Sequence, residues 1–254
     1  MKLHVRRPAK VSWFVRWKTN LFHTPLMAVT TVVFGSVALV FSLLEKNGRV
    51  QHRIAQLWAR LMVPLGGARL TVEGAENLRK FPVAVYASNH TSYMDTPVLF
   101  AALPFQFRIL ARKALWPVPF IGWYLNRSGQ LPIDTDNTHA ALASLGAGVK
   151  ALRAGMPLFV FPEGGRTQTG NLKPFLSGAS YLALRSQTPL VPLALVGVFD
   201  LLPMHTRYLF PTQVKVIVGE PIETRGMTLR QTEELTTRLR DEIQALLDRD
   251  AAAR

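Results

Sequence analysis

The stretch VAVYASNHTSYMDTP, residues 83–97, predicts the fold class and the position of a site. Its first five residues, Val83–Ala87, form a continuous apolar run, which is typical of a strand buried on both faces of a sheet. Pro97 suits the first turn of a helix, with Thr96 or Asp95 as its cap. We therefore predict a strand, a polar turn and a helix in direct succession.

The same alternation of apolar runs and helical patterns extends over the chain from residue 68 onward. Strands are predicted at seven places: Leu70–Glu73, Val83–Ala87, Arg108–Ala111, Gln130–Ile133, Leu158–Phe161, Leu190–Val196 and Val214–Val218. Helices are predicted at five places: Pro97–Leu103, Pro117–Asn126, Thr138–Ala154, Ser177–Ser186 and Leu229–Arg249. Such alternation predicts an α/β fold, with a central mixed, largely parallel sheet flanked by helices.

The first 67 residues differ in character from the rest, so we expect an N-terminal membrane segment, 1–67, followed by one domain, 68–254. Residues 25–44 contain no charge. As a helix this run would measure about 30 Å, the thickness of a bilayer core. A buried helix of a soluble protein is the alternative explanation.

A second helix is predicted at residues 48–63, with an apolar stripe and several arginines beside it. This pattern fits a basic helix lying on a membrane surface, or a helix packed on the domain's own core. Basic residues flank the apolar run on both sides, and residues 1–18 add three aromatic side chains. Positive charge favours the cytoplasmic side, so we expect a helical hairpin that dips into one leaflet of the inner membrane. The domain would then lie on the cytoplasmic face.

The composition narrows the classes of partner. Lys and Arg number 30 against 16 acids, which gives a net charge of +14 and favours anionic partners. Nucleic acid, anionic lipid and phosphorylated substrates all satisfy that condition. We find no nucleic-acid readout motif, so no nucleic-acid partner is expected. The chain has no cysteine, which excludes disulfides, Cys-ligated zinc and a Cys-linked acyl intermediate.

His90 and Asp95 are the first candidate site residues. Five residues apart on a regular helix, their side chains would point about 140° apart and could not meet. Across a strand-to-helix turn they can pair, and a carboxylate that fixes an imidazole makes the imidazole a general base. The alternative is structural: Ser92-x-x-Asp95 also matches a capping box, and His90 could be an ordinary turn histidine.

A glycine-rich turn follows the predicted strand Leu158–Phe161 and reads Pro-Glu-Gly-Gly-Arg-Thr at residues 162–167. Glycines let a backbone approach a ligand closely, and Arg166 offers a planar fork that matches phosphate oxygens. The turn lacks the Gly-Lys-Ser/Thr ending of a nucleotide-binding loop. A simple β-turn is the alternative.

These motifs together resemble those of the glycerolipid acyltransferase family, typified by 1-acylglycerol-3-phosphate acyltransferases. The family's Asn-His-x4-Asp motif is similar to residues 89–95, and its Phe-Pro-Glu-Gly-Thr-Arg-Ser motif to residues 161–167. Its Val-Pro-aliphatic motif is similar to residues 191–193. The resemblance covers about residues 70–220 with the motifs in family order, and it implies the glycerolipid acyltransferase fold.

The resemblance implies transfer of an acyl chain from acyl-CoA or acyl-carrier protein to a lysophospholipid, with no cofactor and no metal site. His90 would be the general base and Asp95 its partner. The acceptor would be held by four further residues: Glu163, Gly164, Arg166 and Lys113. Lysophosphatidic acid is the default acceptor. The expected partner surface is a membrane that contains anionic lipids.

The sequence departs from the family at two positions. The second motif usually ends in Arg, where this chain has Thr135, and Gly165 stands where the family commonly has Thr. Arg127 or Arg108 is a candidate replacement for the missing cation. A different lysolipid acceptor, or a non-catalytic membrane-surface protein with a degraded site, are the alternative functions.

Overall fold

In a computed structural model, the chain is described over residues 11–45, 47–134, 138–204 and 206–253. The basic residues before position 11, Lys46 and Thr135 lie outside the described residues. Seven strands form one sheet: β1 (Ala68–Glu73), β2 (Val85–Ser88), β3 (Arg108–Arg112), β4 (Leu131–Ile133), β5 (Leu158–Val160), β6 (Leu190–Val196) and β7 (Thr212–Val218). Each overlaps one of the seven predicted strands.

The helices fall between the strands and at both ends of the chain. They are α1 (Trp13–Lys18), α2 (Thr24–Phe41), α3 (Arg49–Leu65), α4 (Asn77–Lys80), α5 (Asp95–Ala102), α6 (Ile121–Arg127), α7 (Thr138–Arg153), α8 (Gly178–Ser186), α9 (Val198–Leu201) and α10 (Thr232–Ala252). A π-helical turn, Thr19–His23, joins α1 to α2, and short 3-10 turns occupy Lys113–Leu115 and Leu229–Gln231. The capping box expected at Thr228 and Gln231 is present.

The strand order is β1-β7-β6-β2-β5-β3-β4. Every neighbouring pair is parallel except β6 and β7, which run antiparallel. This confirms the mixed, largely parallel sheet. In the central pair, Ala87 of β2 lies opposite Val160 of β5. The segments that follow these two strands therefore leave the sheet at the same edge, and both carry candidate site residues.

Two hydrophobic cores cover the two faces of the sheet. One contains side chains of α3, α5, β1 and β7, and the other contains side chains of α7, α8 and α10. Buried Ala55, Ala59 and Val63 of α3 belong to the first core. The helix α3 thus packs on the domain that follows it.

The N-terminal helices form a hairpin. His23 Nδ1 donates to the carbonyl oxygen of Leu65 at 2.5 Å, and Trp58 Nε1 donates to Thr31 Oγ1 at 3.2 Å. The start of α2 therefore lies against the end of α3, so the two helices are antiparallel. The continuous helix Trp13–Phe41 is long and apolar enough to cross a membrane, and its most apolar 18-residue window has a mean hydropathy of 1.9 and is only 6% buried.

The side of α3 that faces the core is not the apolar stripe that the sequence predicted. Leu57 and Leu61 are exposed, whereas the buried positions hold small or polar residues such as Ala55, Ala59 and His52. Small side chains let α3 approach α5 closely. The larger apolar residues face outward or toward α2, where Trp58 is partly buried.

Candidate active site

His90 and Asp95 meet at the turn between β2 and α5. The His90 Nδ1 atom lies 2.7 Å from Asp95 Oδ2, and the Asp95 side chain is fully buried. A carboxylate in this position only accepts hydrogen bonds, so Nδ1 carries the proton and Nε2 keeps its lone pair. The side chain of His90 is 16% exposed, and it lines a cleft. The ring therefore presents a basic nitrogen that a ligand can reach.

Asp95 also accepts hydrogen bonds from the backbone of the turn, in addition to binding the histidine. Its Oδ2 atom accepts from the backbone N–H groups of Thr91 at 2.6 Å and Ser92 at 2.9 Å. The bond from Ser92 N is one half of the capping box that was the structural alternative. The other half is absent, because Asp95 N donates to the Ser92 carbonyl oxygen and Ser92 Oγ accepts from Met94 N instead. Asp95 thus has a structural role and orients His90 at the same time.

Two further contacts fix the histidine. The ring of Phe161, the residue directly after β5, stacks on the imidazole with centroids 3.9 Å apart. The preceding residue, Asn89, donates to and accepts from the backbone of Leu195 in β6. These contacts hold the turn to both neighbouring strands, so the imidazole has a defined position before any ligand binds.

Glu163 joins the two loops of the site. Its Oε1 atom accepts from the backbone N–H of His90 at 2.8 Å, and its Oε2 atom accepts from the backbone N–H of Lys173 at 3.0 Å. The side chain is only 5% exposed. Burial raises the pKa of Glu163 to about 7, although both backbone donors and the Lys173 ammonium oppose that shift. Both oxygens are occupied by the protein, so this carboxyl group braces the site.

The glycine turn places Arg166 in the same cleft as His90. Gly164 has φ of +67°, and a Cβ there would lie 2.8 Å from Leu176 Cδ1, so the turn needs glycine. The Arg166 guanidinium stacks over the Tyr93 ring with Cζ 3.6 Å from the centroid. Among the described residues, no hydrogen bond or ion pair engages this guanidinium, and its buried Nε has no partner. Its donors are available to an anion.

The cleft between these loops has a volume of about 780 Å³. Most of its wall is apolar, with side chains from β3, the 3-10 turn after it, β4, β5, α6, α7 and the segment before α8: Ile109, Leu110, Leu115, Ile121, Ile133, Leu145, Val160 and Leu176. His90 and Arg166 supply polar groups beside this wall. The cleft therefore suits a ligand with a long apolar part and an anionic part.

The three cations that the sequence offered for the acceptor site do not line the cleft. Lys113 is not among the residues that line the cleft, and its Nζ lies 3.5 Å from Asp134 Oδ2. Arg108 begins β3, at the strand end away from His90, and Arg127 ends α6 on the exposed surface. Of the arginines and lysines in the described residues, the cleft lining contains Arg112 and Arg166.

Sequence reasoning missed three contributors. Arg112 ends β3 opposite Ile133 of β4, two residues before the altered position of the second motif. Lys173 donates from Nζ to the carbonyl oxygen of Gly165 at 3.0 Å and so closes the glycine turn. Asn89 ties the histidine turn to β6. Asn89 stands in the first motif, but no local pattern reveals a partner 106 positions away in the chain.

A histidine paired with a buried carboxylate at the carboxyl edge of a largely parallel sheet, beside an apolar cleft with a free arginine, defines a class of α/β protein. Such an arrangement can chemically deprotonate a hydroxyl group next to a lipid-like ligand. Comparisons with known proteins give the family. A sequence model of the family described as Acyltransferase matches residues 69–196, which is half of the chain. The chain therefore belongs to the acyltransferase family.

Individual relatives agree with this assignment. The chain is similar to the chloroplastic 1-acyl-sn-glycerol-3-phosphate acyltransferase LPAT1 of Arabidopsis thaliana, with 31% identity over 68% of this chain and 49% of that protein. It is also similar to the 1-acyl-sn-glycerol-3-phosphate acyltransferase of Saccharomyces cerevisiae, with 29% identity over 83% of this chain and 70% of that protein. The chain spans about half the length of the first plant relatives that it matches.

One solved structure has the same fold. It is the crystal structure of the 1-acyl-sn-glycerophosphate acyltransferase PlsC from Thermotoga maritima, with a TM-score of 0.79. The match covers 94% of this chain and 98% of that chain at 21% sequence identity. This similarity confirms the fold that the sequence predicted, including the N-terminal helices.

Proposed function

We propose that the protein transfers a fatty acyl chain from acyl-CoA or acyl-carrier protein to the hydroxyl of lysophosphatidic acid, giving phosphatidic acid. The observation that carries this proposal is the 2.7 Å contact between His90 and Asp95 in a cleft shared with Arg166. The names of the relatives support the same reaction and the same acceptor.

The chemistry follows from the free Nε2 of His90. This nitrogen takes the proton of the acceptor hydroxyl while the hydroxyl oxygen attacks the thioester carbonyl. Asp95 stabilises the imidazolium that forms, as the carboxylate does in a serine-hydrolase triad. When the tetrahedral intermediate collapses, the thiolate leaves and takes the proton from the imidazolium. The proton balance closes without any protein nucleophile.

The acceptor is held by the glycine turn. Arg166 binds the phosphate, because its guanidinium lies in the cleft and lacks a protein partner among the described residues. Gly164 gives the turn its shape, and Glu163 secures the turn to His90. Lys113 lies beside the cleft-lining Arg112 and adds positive charge at the entrance. The apolar wall accommodates an acyl chain.

A second acceptor class is supported by one observation. Thr135 stands where the family usually has an arginine that helps bind the acceptor. A lysolipid with a headgroup other than a bare phosphate is therefore the second candidate. A phosphate-free monoacylglycerol serves as the reference acceptor in the test below.

The N-terminal hairpin attaches the domain to the cytoplasmic face of the inner membrane. The apolar side chains of α2 are exposed, so the protein itself does not cover them. Anionic lipid complements the net charge of +14. The hydrogen bond between His23 and Leu65 supports a hairpin that keeps both of its ends on one side and dips into one leaflet.

The test uses the purified full chain in vesicles that contain anionic phospholipid. Acyl-CoA or acyl-carrier protein is offered with lysophosphatidic acid, other lysolipids or monoacylglycerol, and products are identified by mass spectrometry. Transfer to lysophosphatidic acid should exceed transfer to monoacylglycerol. His90→Ala should reduce transfer by about 10²–10⁴, the usual contribution of a general base.

The control is vesicle sedimentation, in which His90→Ala should bind as the unchanged protein does. His90→Gln, which keeps the side-chain size but lacks a base, should be equally inactive. Full activity of either variant would end the proposal for His90. Absence of transfer with every donor and acceptor would support the non-catalytic alternative.

A further inference from the structure

A second apolar surface lies beside the cleft, far from the N-terminal helix in sequence. We call residues 113–123 the rim segment. Five of its large apolar side chains are exposed: Leu115 (39%), Val118 (38%), Phe120 (49%), Ile121 (47%) and Trp123 (57%). Single exposed apolar residues are ordinary, but five within nine positions form a patch. Leu115 and Ile121 also line the cleft, so the patch borders its mouth.

The rim segment has a fixed shape that keeps these side chains outward. Gly122 lies so close to Trp116 that a Cβ would be 1.8 Å from the Trp116 carbonyl oxygen. Gly122 N donates to Val118 O at 2.8 Å, and Tyr124 N donates to Phe120 O at 2.9 Å. Phe120 has φ of +63°, which is unfavourable for a bulky residue. The loop is thus preorganised, so little further ordering is needed on binding.

The rim segment adjoins the hairpin in space. The helix α6, which begins at the end of the rim, contacts α2. Tyr124 of α6 and Met27 of α2 pack against the same hydrophobic core. The rim and the N-terminal helix therefore lie on the same face of the sheet, so one surface can touch both.

The charges around the rim favour a lipid surface over a protein partner. Arg112 and Lys113 precede the apolar residues, and Arg127 follows them; all three are exposed. Aromatic side chains flanked by cations are typical of the headgroup level of a membrane. Phe120 and Trp123 form a contacting aromatic pair, with centroids 5.4 Å apart. This arrangement matches the boundary between acyl chains and anionic headgroups.

We propose that the rim segment is a second membrane-insertion element, which enters the same leaflet as the N-terminal helix and opens the cleft directly onto lipid. This inference rests on the proposed function, because it takes the membrane attachment of the hairpin as given. Its consequence is that an acyl chain moves between the leaflet and the cleft past Leu115 and Ile121. The acyl chain of the lipid then never crosses water.

The test uses the absence of cysteine from the sequence. Single cysteines are introduced as Trp123→Cys in the rim, Val33→Cys in α2 and Asp241→Cys in α10, and each is labelled with an environment-sensitive fluorophore. Asp241 is exposed on a helix that packs on the opposite face of the sheet. In vesicles with anionic lipid, labels at 123 and 33 should shift to the blue and be quenched by nitroxide-bearing lipids. The label at 241 should remain in water.

The outcomes separate the two proposals. A label at 123 that stays in water while the label at 33 is quenched would overturn the rim inference and leave the hairpin attached. Labels that both stay in water would refute the membrane attachment, and the inference would fall with it. Quenching at 241 as well would show nonspecific adsorption and would also overturn the inference.

Activity provides an independent readout. Trp123→Ala should raise the apparent KM for vesicle-embedded acceptor about tenfold, since an inserted aromatic side chain is lost. It should leave the rate with a short-chain, water-dispersed acceptor unchanged. Leu229→Ala is the matched control, because Leu229 is 43% exposed and lies outside the rim and the hairpin. Equal KM values for the two variants on vesicles would contradict the inference.

Discussion

The two loops that carry His90 and Arg166, which we call the cleft loops, differ from the helix α2 in their surroundings. In the cleft loops, Asp95 and Glu163 use their carboxylate oxygens to bind backbone or ring N–H groups, so both buried carboxylates are matched within the protein. Along α2, Val29, Val32 and Val33 are each more than half exposed. The cleft is therefore organised by the chain itself, whereas the helix needs an apolar environment that the chain does not supply.

This difference separates two kinds of substitution. A change in the cleft loops removes a partner from a group that stays buried, so both structure and chemistry suffer. A change on α2 alters only the affinity for lipid. Variants in each of the two regions test that separation.

Asp95→Asn is expected to have the largest effect. The amide can still accept from the backbone of Thr91 and Ser92, so the turn is kept. The same amide oxygen also accepts from His90 Nδ1, but it carries no negative charge and so does not stabilise the imidazolium. The turnover number should fall by about 10²–10⁴, with vesicle binding unchanged. Asp248→Asn, on the exposed side of α10, is the control. Retention of half the activity would show that His90 works without its carboxylate.

Much of this organisation was predictable from sequence. All seven strands were predicted, several of them because buried strands are continuous apolar runs. The helices α4 and α9 were missed, because four residues are too few to show a helical period. The pairing of His90 with Asp95 was predictable, since both belong to one turn between a recognisable strand and helix.

Long-range contacts were not predictable from local patterns. Glu163 was assigned to the acceptor, but both of its oxygens bind backbone groups of His90 and Lys173. The partner His90 is 73 positions away, and a single sequence carries no signal for such a bond. For the same reason Arg112 was overlooked, while Arg108 and Arg127 were considered. The position of a side chain along its strand becomes meaningful only when the strand order is known.

Glu163→Gln tests how far the cleft is organised by the protein itself. The folded state raises the pKa of Glu163 from 4.5 to about 7, because burial penalises the carboxylate. The stabilising contribution of the neutral form is complete below pH 4.5 and is lost as the pH rises through 7. By pH 8 the loss amounts to about 3 kcal/mol. Gln does not titrate, so Glu163→Gln should lack this decline.

The measurement is the free energy of unfolding in detergent at pH 5 and pH 8 for both proteins. Between pH 5 and pH 8, the difference in unfolding free energy between wild type and Glu163→Gln should move by about 2.5 kcal/mol in favour of Gln. The absolute stability of the variant is no guide, since its amide donors face backbone N–H groups. Glu233→Gln, at an exposed position, should show no such change. Parallel pH profiles for wild type and Glu163→Gln would contradict the assignment.

The smallest effects on stability are expected from Val→Thr, made once in the buried strand β7 and once in the exposed helix α2. Val216 of β7 is fully buried, whereas Val33 of α2 is 51% exposed. Val216→Thr buries a hydroxyl in an apolar core and should lower the free energy of unfolding by roughly 1–3 kcal/mol. In α2 the hydroxyl can bond to a preceding carbonyl, as Thr30 and Thr31 already do. Val33→Thr should therefore change the unfolding free energy in detergent by less than about 0.5 kcal/mol.

The two valines should also differ in membrane binding. Val33→Thr should weaken vesicle binding by a few-fold at most, because a hydroxyl bonded within the helix costs roughly 1 kcal/mol or less in lipid. Val216→Thr should leave the binding of the folded protein unchanged, since β7 does not reach the surface at that position. If Val33→Thr destabilised the fold as much as Val216→Thr does, α2 would be packed against protein. The exposed face of the hairpin would then belong to a protein interface, and the contrast between the two regions would disappear.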